Sequence, residues 1–277
     1  MRPARAILSL FALVPALAGA AANAQRLDYA DMISNQELAA AEHAVGPRLN
    51  IPAFDAPLPA PIPEADDGPV RAFYGDRLEW RSQRGVDGYN WDWSGEIGGP
   101  RNRLWLATTG DGLTGGGLDY VEVQALYSRP VTASGLAVQA GVRRDFVPRP
   151  RRSYAVLGLQ GNVSDPLYVG AFGFLSHRGE FTGRVFAYYD LPLVGDLVLQ
   201  PAVESEVAGA DVPELGIGAG PIYAEAGLRL RFRFAEPFAP YIGVNWERLL
   251  GRTARLARQA GDDVETASFV LGLRSYF

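Results

Sequence analysis

The chain has 277 residues, a mild formal net charge of -5 and no cysteine. Without cysteine there are no disulfides, thiolate metal sites or cysteine nucleophiles, and both charge signs are spread too evenly for the basic domain of a nucleic-acid binder. Plentiful glycine, 12 tyrosines and 13 phenylalanines, with little helical periodicity, point to a large β structure.

At the N-terminus, Arg2 and Arg5 precede an apolar stretch from Ala6 to Ala18, and Ala22-Asn23-Ala24 follows as a small-residue cleavage site. Residues 1–24 thus read as a secretory signal peptide cut before Gln25. Its apolar core is too short to span a membrane, and no later run approaches the ~20 residues a spanning helix requires. Residues 25–70 carry Pro47, Pro52, Pro57, Pro59, Pro61, Pro63 and Pro69. Ile51 to Pro63 reads as polyproline-like linker, and Tyr29 to Ala44 as a short helix capped by Asp31 or Ser34. With little to pack against, this segment is expected to be a mostly disordered periplasmic extension.

From Arg71 onward the chain alternates. Tyr74, Leu78 and Trp80 oppose Arg77, Glu79, Arg81 and Gln83; Tyr89, Trp91, Trp93, Gly95 and Ile97 oppose Asn90, Asp92, Ser94 and Glu96. The pattern returns at Val121–Tyr127, at Leu136–Asp145 and in a long run where Leu228, Leu230 and Phe232 oppose Glu225, Arg229, Arg231 and Arg233. The last stretch sets Ala267, Phe269, Leu271, Leu273 and Phe277 against Val270, Gly272, Arg274 and Tyr276. Alternation of apolar and polar faces in strands long enough to cross a bilayer predicts an all-β fold. Specifically, residues 71–277 form a transmembrane antiparallel up-and-down β-barrel of about twelve strands, or ten if short segments merge. Hydrocarbon tolerates no open sheet edge, so the first strand near Trp80 must pair with the last near Phe269. Residues 111–117, 208–220 and 252–263 are expected as outer loops, and Tyr74, Trp80, Trp91, Tyr127, Tyr189 and Trp246 as interfacial girdles. The alternative is a soluble sandwich with the same aromatics in its core.

Several stretches carry a more specific resemblance. They include Trp91-Asp92-Trp93-Ser94-Gly95-Glu96, Asn102-Arg103-Leu104-Trp105-Leu106, Gly141-Val142-Arg143-Arg144-Asp145-Phe146 and Phe238-Ala239-Pro240-Tyr241-Ile242-Gly243-Val244-Asn245-Trp246-Glu247-Arg248. In these the chain resembles the copper resistance protein B family of bacterial outer-membrane proteins, across residues 71–277. The resemblance implies a barrel in the outer membrane, surrounded by lipid, that binds copper ions or lets them cross. It also implies a periplasmic multicopper oxidase as partner. Family members commonly precede the barrel with a segment rich in methionine and histidine. Here that segment offers only Met32 and His43, eleven residues apart, which cannot build a high-capacity store.

Candidate metal contacts are therefore Met32, His43, His177 at an outer loop, and the lumen-facing pair Asp92 and Glu96 on one strand face. Other inward carboxylates and arginines form either a pairing network that fills a narrow barrel or a polar path with low affinity for divalent cations. Ser176, His177 and Asp190 raise a hydrolase alternative, but adjacent strand residues face opposite ways, so the chain is not expected to be an enzyme. Gly115–Gly117 and Gly216–Gly220 lack a following helix and read as flexible loops rather than phosphate cradles. The reading is a copper-resistance barrel; the runner-up is a metal-indifferent structural barrel or narrow nonspecific channel.

Overall fold

The computed structural model describes residues 69–233 and 237–277. The expected signal peptide and proline-rich extension, with Met32 and His43, lie outside the described residues.

The strands are β1 (Val70–Gln83), β2 (Gly88–Gly98), β3 (Arg103–Leu113), β4 (Leu118–Pro130), β5 (Ala137–Val147), β6 (Arg152–Ser164) and β7 (Leu167–Ser176). They continue with β8 (Phe181–Tyr189), the two-residue β9 (Leu191–Pro192), β10 (Leu197–Ala208), β11 (Gly220–Phe232), β12 (Phe238–Leu249) and β13 (Glu265–Tyr276). Every pairing is antiparallel and sequential, with β8 pairing β10 directly and β9 forming a small flap on β10. The ring closes where β13 meets β1, with Trp80 opposite Leu271 and Ser82 opposite Phe269. Leaving out β9, twelve strands form a closed barrel with no free edge. The barrel strands run from 9 to 14 residues, enough to cross hydrocarbon at a tilt. No helix among the described residues is long and apolar enough to cross a membrane.

The two faces separate as the alternation dictates. Val142, Leu157, Phe269 and Leu271 are 61, 65, 73 and 56 % exposed on the outside, while Glu122, Gln139 and Arg143 are 1, 1 and 4 % exposed inside. An apolar exterior of this extent is a liability in water and the favourable face in lipid. Trp80, Tyr127, Tyr189 and Trp246 stand on that exterior. Tyr74 does not, which corrects the expected girdle. A register shift between Gly75 and Arg77 inserts one residue into β1, and this bulge reverses the parity of everything before it. Phe73 takes the lipid side, and the Tyr74 ring turns inward to stack on Trp105 at 5.7 Å.

Short turns close one rim, whereas the other carries the long connections 209–219 and 250–264. Long loops mark the extracellular side, so both ends of the barrel lie at the periplasmic rim. Two loop expectations change. Residues 252–263 are mostly helix α1 (Gly251–Ala260), ended by Gly261 in the left-handed conformation at φ 88°. Residues 208–220 are ordered as well, through a 3-10 turn at Pro213–Leu215 and a bridge between Val212 and Ile217. Inside the barrel, Leu126, Tyr154, Val156 and Phe174 form an apolar wedge with Trp105 and Phe172 packed against it.

Candidate functional site

The lumen holds a cavity of about 470 Å³, bordered by charged side chains of β1–β3 and β10–β13 and by aromatic ones of β6–β8. The charges fall into groups. Glu79, 2 % exposed, accepts from Arg229 Nε at 2.6 Å, Arg81 Nε at 3.2 Å and Tyr241 Oη at 3.1 Å. Glu122 sits between Arg143 at 3.0 Å and Arg184 at 3.2 Å, and Arg143 also holds Asp145 at 2.7 Å. Toward the periplasm Arg231 pairs with Asp190, and Arg274 with Asp76 at 2.9 Å. Buried charges of this kind persist only when each finds a partner and spare lone pairs are donated to.

A fourth group departs from that rule. Glu204, Glu225 and Glu247 are direct register neighbours on β10, β11 and β12, all facing inward. Like charges at such spacing repel. Glu225 is met at 3.5 Å by Arg77 and 3.8 Å by Arg81; Glu204 accepts from the Tyr223 hydroxyl, and its nearest cation is Arg184 at 3.9 Å. Glu247 and Asp111, which border the same cavity, have no ion-pair partner among the described residues. The outer half of the lumen thus carries a carboxylate excess.

The connection 209–219 lies over this cavity as a strap, with Leu215 and Ile217 bordering it. One side is held by Glu214, which accepts from Arg152 Nη2 and Arg178 Nη1, both at 2.8 Å. The other is fixed by Arg252–Asp211 at 2.8 Å and by the Gly218 N–H donating to Thr253 Oγ1 at 3.1 Å. Gly218 packs so closely that a Cβ there would lie 2.3 Å from Arg252 Cβ, so this glycine serves close approach rather than flexibility. The Arg152 guanidinium holds the carboxyls of both Glu180 and Glu214 below the ordinary carboxylate range.

The sequence-predicted residues do not converge. Asp92 faces the cavity and accepts from Thr109 Oγ1 at 3.4 Å. Glu96 shares its strand face but is engaged by Arg103 at 3.0 Å and by the Tyr74 hydroxyl at 3.1 Å, away from the cavity. His177 is exposed in the β7–β8 turn, its Nδ1 accepting from the Ser153 N–H at 3.4 Å. Ser176 points inward and donates to Glu180 at 2.6 Å, while Asp190 lies at the opposite rim, so these three residues form no relay. No three histidine or carboxylate side chains among the described residues come together to hold one metal ion. Sequence reasoning missed the aromatic wall of Tyr168, Phe172, Phe174, Phe186 and Tyr188, although the even-numbered aromatics of β7 and β8 carry its signal.

The family described as copper resistance protein B precursor matches residues 70–277, the whole barrel. The chain belongs to the copper resistance protein B family. It is 42% identical over 205 residues to the copper resistance protein B homolog of Pseudomonas syringae pv. tomato, covering 74% of this chain and 69% of that relative. It is 34% identical over 202 residues to copper resistance protein B of Escherichia coli, covering 73% and 68%. Among solved structures, it is similar to the NanC porin (15% identity, TM-score 0.48, 74% of this chain and 99% of the porin). Outer membrane phospholipase A from Escherichia coli is also similar (12% identity, TM-score 0.46, 73% of this chain and 89% of that enzyme). Membership of this family, together with the lipid-facing exterior of the closed barrel, places the protein in the bacterial outer membrane with a role in copper resistance.

Proposed function

We propose that the barrel serves copper resistance by admitting copper cations to its lumen and letting them cross the outer membrane, rather than by storing them. The observation that carries this reading is the row Glu204–Glu225–Glu247 with Asp111, unpaired among the described residues, beside the same cavity. A site that conducts must attract its ion and still release it, and dispersed carboxylates do both better than a tight cage. Asp92 belongs to this path; Glu96, already paired with Arg103, does not. Exposed His177 is a contact for copper arriving at the outer mouth. The strap across the lumen makes passage depend on its movement. A periplasmic multicopper oxidase, taking up copper at the inner rim, is part of the same proposal and rests on the family alone.

A deletion strain complemented by the wild-type gene or by the E204Q/E225Q/E247Q variant tests this. The expected outcome is that the wild-type gene restores copper tolerance and the variant, inserted to the same level, does not. If deletion leaves copper sensitivity unchanged while detergent or solute permeability shifts, the metal-indifferent channel is the better account.

A further inference from the structure

Lumens of outer-membrane barrels are ordinarily polar, so an aromatic wall inside one calls for a reason. Packing is reason enough for Phe174, 1 % exposed within the apolar wedge. Phe172 packs in part on the same wedge, but that packing does not cover Tyr168, Phe186 and Tyr188, which border the cavity and are only half-buried. Their rings run nearly parallel: Tyr168–Tyr188 centroids are 4.8 Å apart at 7°, Tyr168–Phe186 6.3 Å at 17° and Phe172–Phe186 6.4 Å at 12°. Glycines set this attitude. A Cβ on Gly158 would lie 2.3 Å from the Phe172 ring and one on Gly170 2.2 Å from the Phe186 ring, so both rings lie flat against the wall over bare backbone.

Polar groups face the same cavity with capacity to spare. Among the described residues, Arg231, 5 % exposed, has no partner for its Nε, and Gln139, 1 % exposed, has none for its Oε1. The Tyr168 hydroxyl has no hydrogen-bond partner among the described residues either. Arg231 and Arg274 are already balanced by Asp190 and Asp76, so the place asks for no net charge. It asks for a ring with an apolar face, carrying groups that both donate and accept. A lone metal ion would use none of this. Apolar walls with a few placed polar groups, around ~300–1,000 Å³, are the ordinary form of a small-molecule site, and the whole lumen cavity that this wall borders measures about 470 Å³.

We propose that the aromatic wall of the lumen is a binding site for a neutral saccharide, whose ring lies on the Tyr168–Tyr188–Phe186 surface while its hydroxyls meet Arg231 and Gln139. Saccharide binding does not rest on copper passage, although both use the one lumen cavity, and either can fail without the other. The test is calorimetric titration of maltotriose into the full mature protein, refolded in a detergent without a sugar headgroup, with folding checked by heat-modifiable migration. The expected result is saturable binding in the millimolar range, weakened about tenfold by Tyr188→Leu and by Gly170→Ala. The second change only lifts the Phe186 ring from the wall, because its contact is the ring's far edge, so it tests the surface if the first variant fails to fold. Absence of saturable binding to the wild-type protein, or undiminished binding in a folded variant, overturns the proposal.

Discussion

Glu79 and Glu247 are both inward-facing glutamates, yet their surroundings assign them opposite roles. Glu79 is enclosed by two guanidiniums and a phenol, and its removal would strand the 3 % exposed Arg229 without a counter-charge. Glu79→Ala should therefore cost about 3–5 kcal/mol, the usual loss when one member of a buried ion pair is deleted. Glu247 stands beside Glu225 without an ion-pair partner among the described residues, so Glu247→Gln removes repulsion and gives up no bond. Its stability should stay within about 0.5 kcal/mol of the wild type or rise. Reversible urea unfolding in lipid vesicles measures both, and equal losses in the two variants would contradict the division into structural and cargo-facing carboxylates. Arg231 pairs with Asp190, while Glu225 receives Arg77 and Arg81. Side-chain parity was legible in the sequence; the pairing across the lumen depends on strand tilt and was not.

Among the elements, the strap and helix α1 departed furthest from sequence reasoning. Both lie outside the membrane, where the period-two rhythm stops and Gly216 and Gly218 read as flexibility. They pack on each other through Gly218 against Arg252 and Thr253 and through the Arg252–Asp211 ion pair, and Val212, Thr253 and Ala254 are 6, 5 and 4 % exposed. The Arg152–Glu214–Arg178 latch has a definite pH response. Glu180 and Glu214 have depressed folded-state pKa values, so their ion pairs contribute fully above the ordinary glutamate pKa of ~4.3 and are lost as pH falls below it. The strap should hold at neutral pH and loosen as the pH falls below the ordinary glutamate value. Since the chain has no cysteine, Leu215→Cys supplies a single thiol beneath the strap. Its labelling by a methanethiosulfonate reagent at pH 7 should be several-fold faster when Glu214→Gln is added. An unchanged rate would mean that the strap is held by its α1 side alone.

For the molecule as a whole, closure is the property that sequence rhythm and hydrocarbon physics determine together. An apolar exterior alternating with a polar interior over twelve strands leaves no edge to solvate, so β1 had to meet β13, and it does so at Trp80 and Leu271. The bulge after Gly75, one of several register shifts around the barrel, is invisible to pattern counting because nothing in Tyr74-Gly75-Asp76-Arg77 announces an added residue. Lipid contact is testable directly: Leu271→Arg, at the middle of the closing strand on its exposed face, should cost about 2–4 kcal/mol. A negligible cost would deny that this face meets hydrocarbon. Family membership supplied copper, since the ligand inventory alone does not. Copper entry into vesicles that carry the refolded barrel and a trapped copper-sensitive dye tests the central claim most directly. The account predicts entry well above that of protein-free vesicles, reduced by E204Q/E225Q/E247Q and raised by Glu214→Gln; entry no faster than through bare lipid in all three proteins would contradict it.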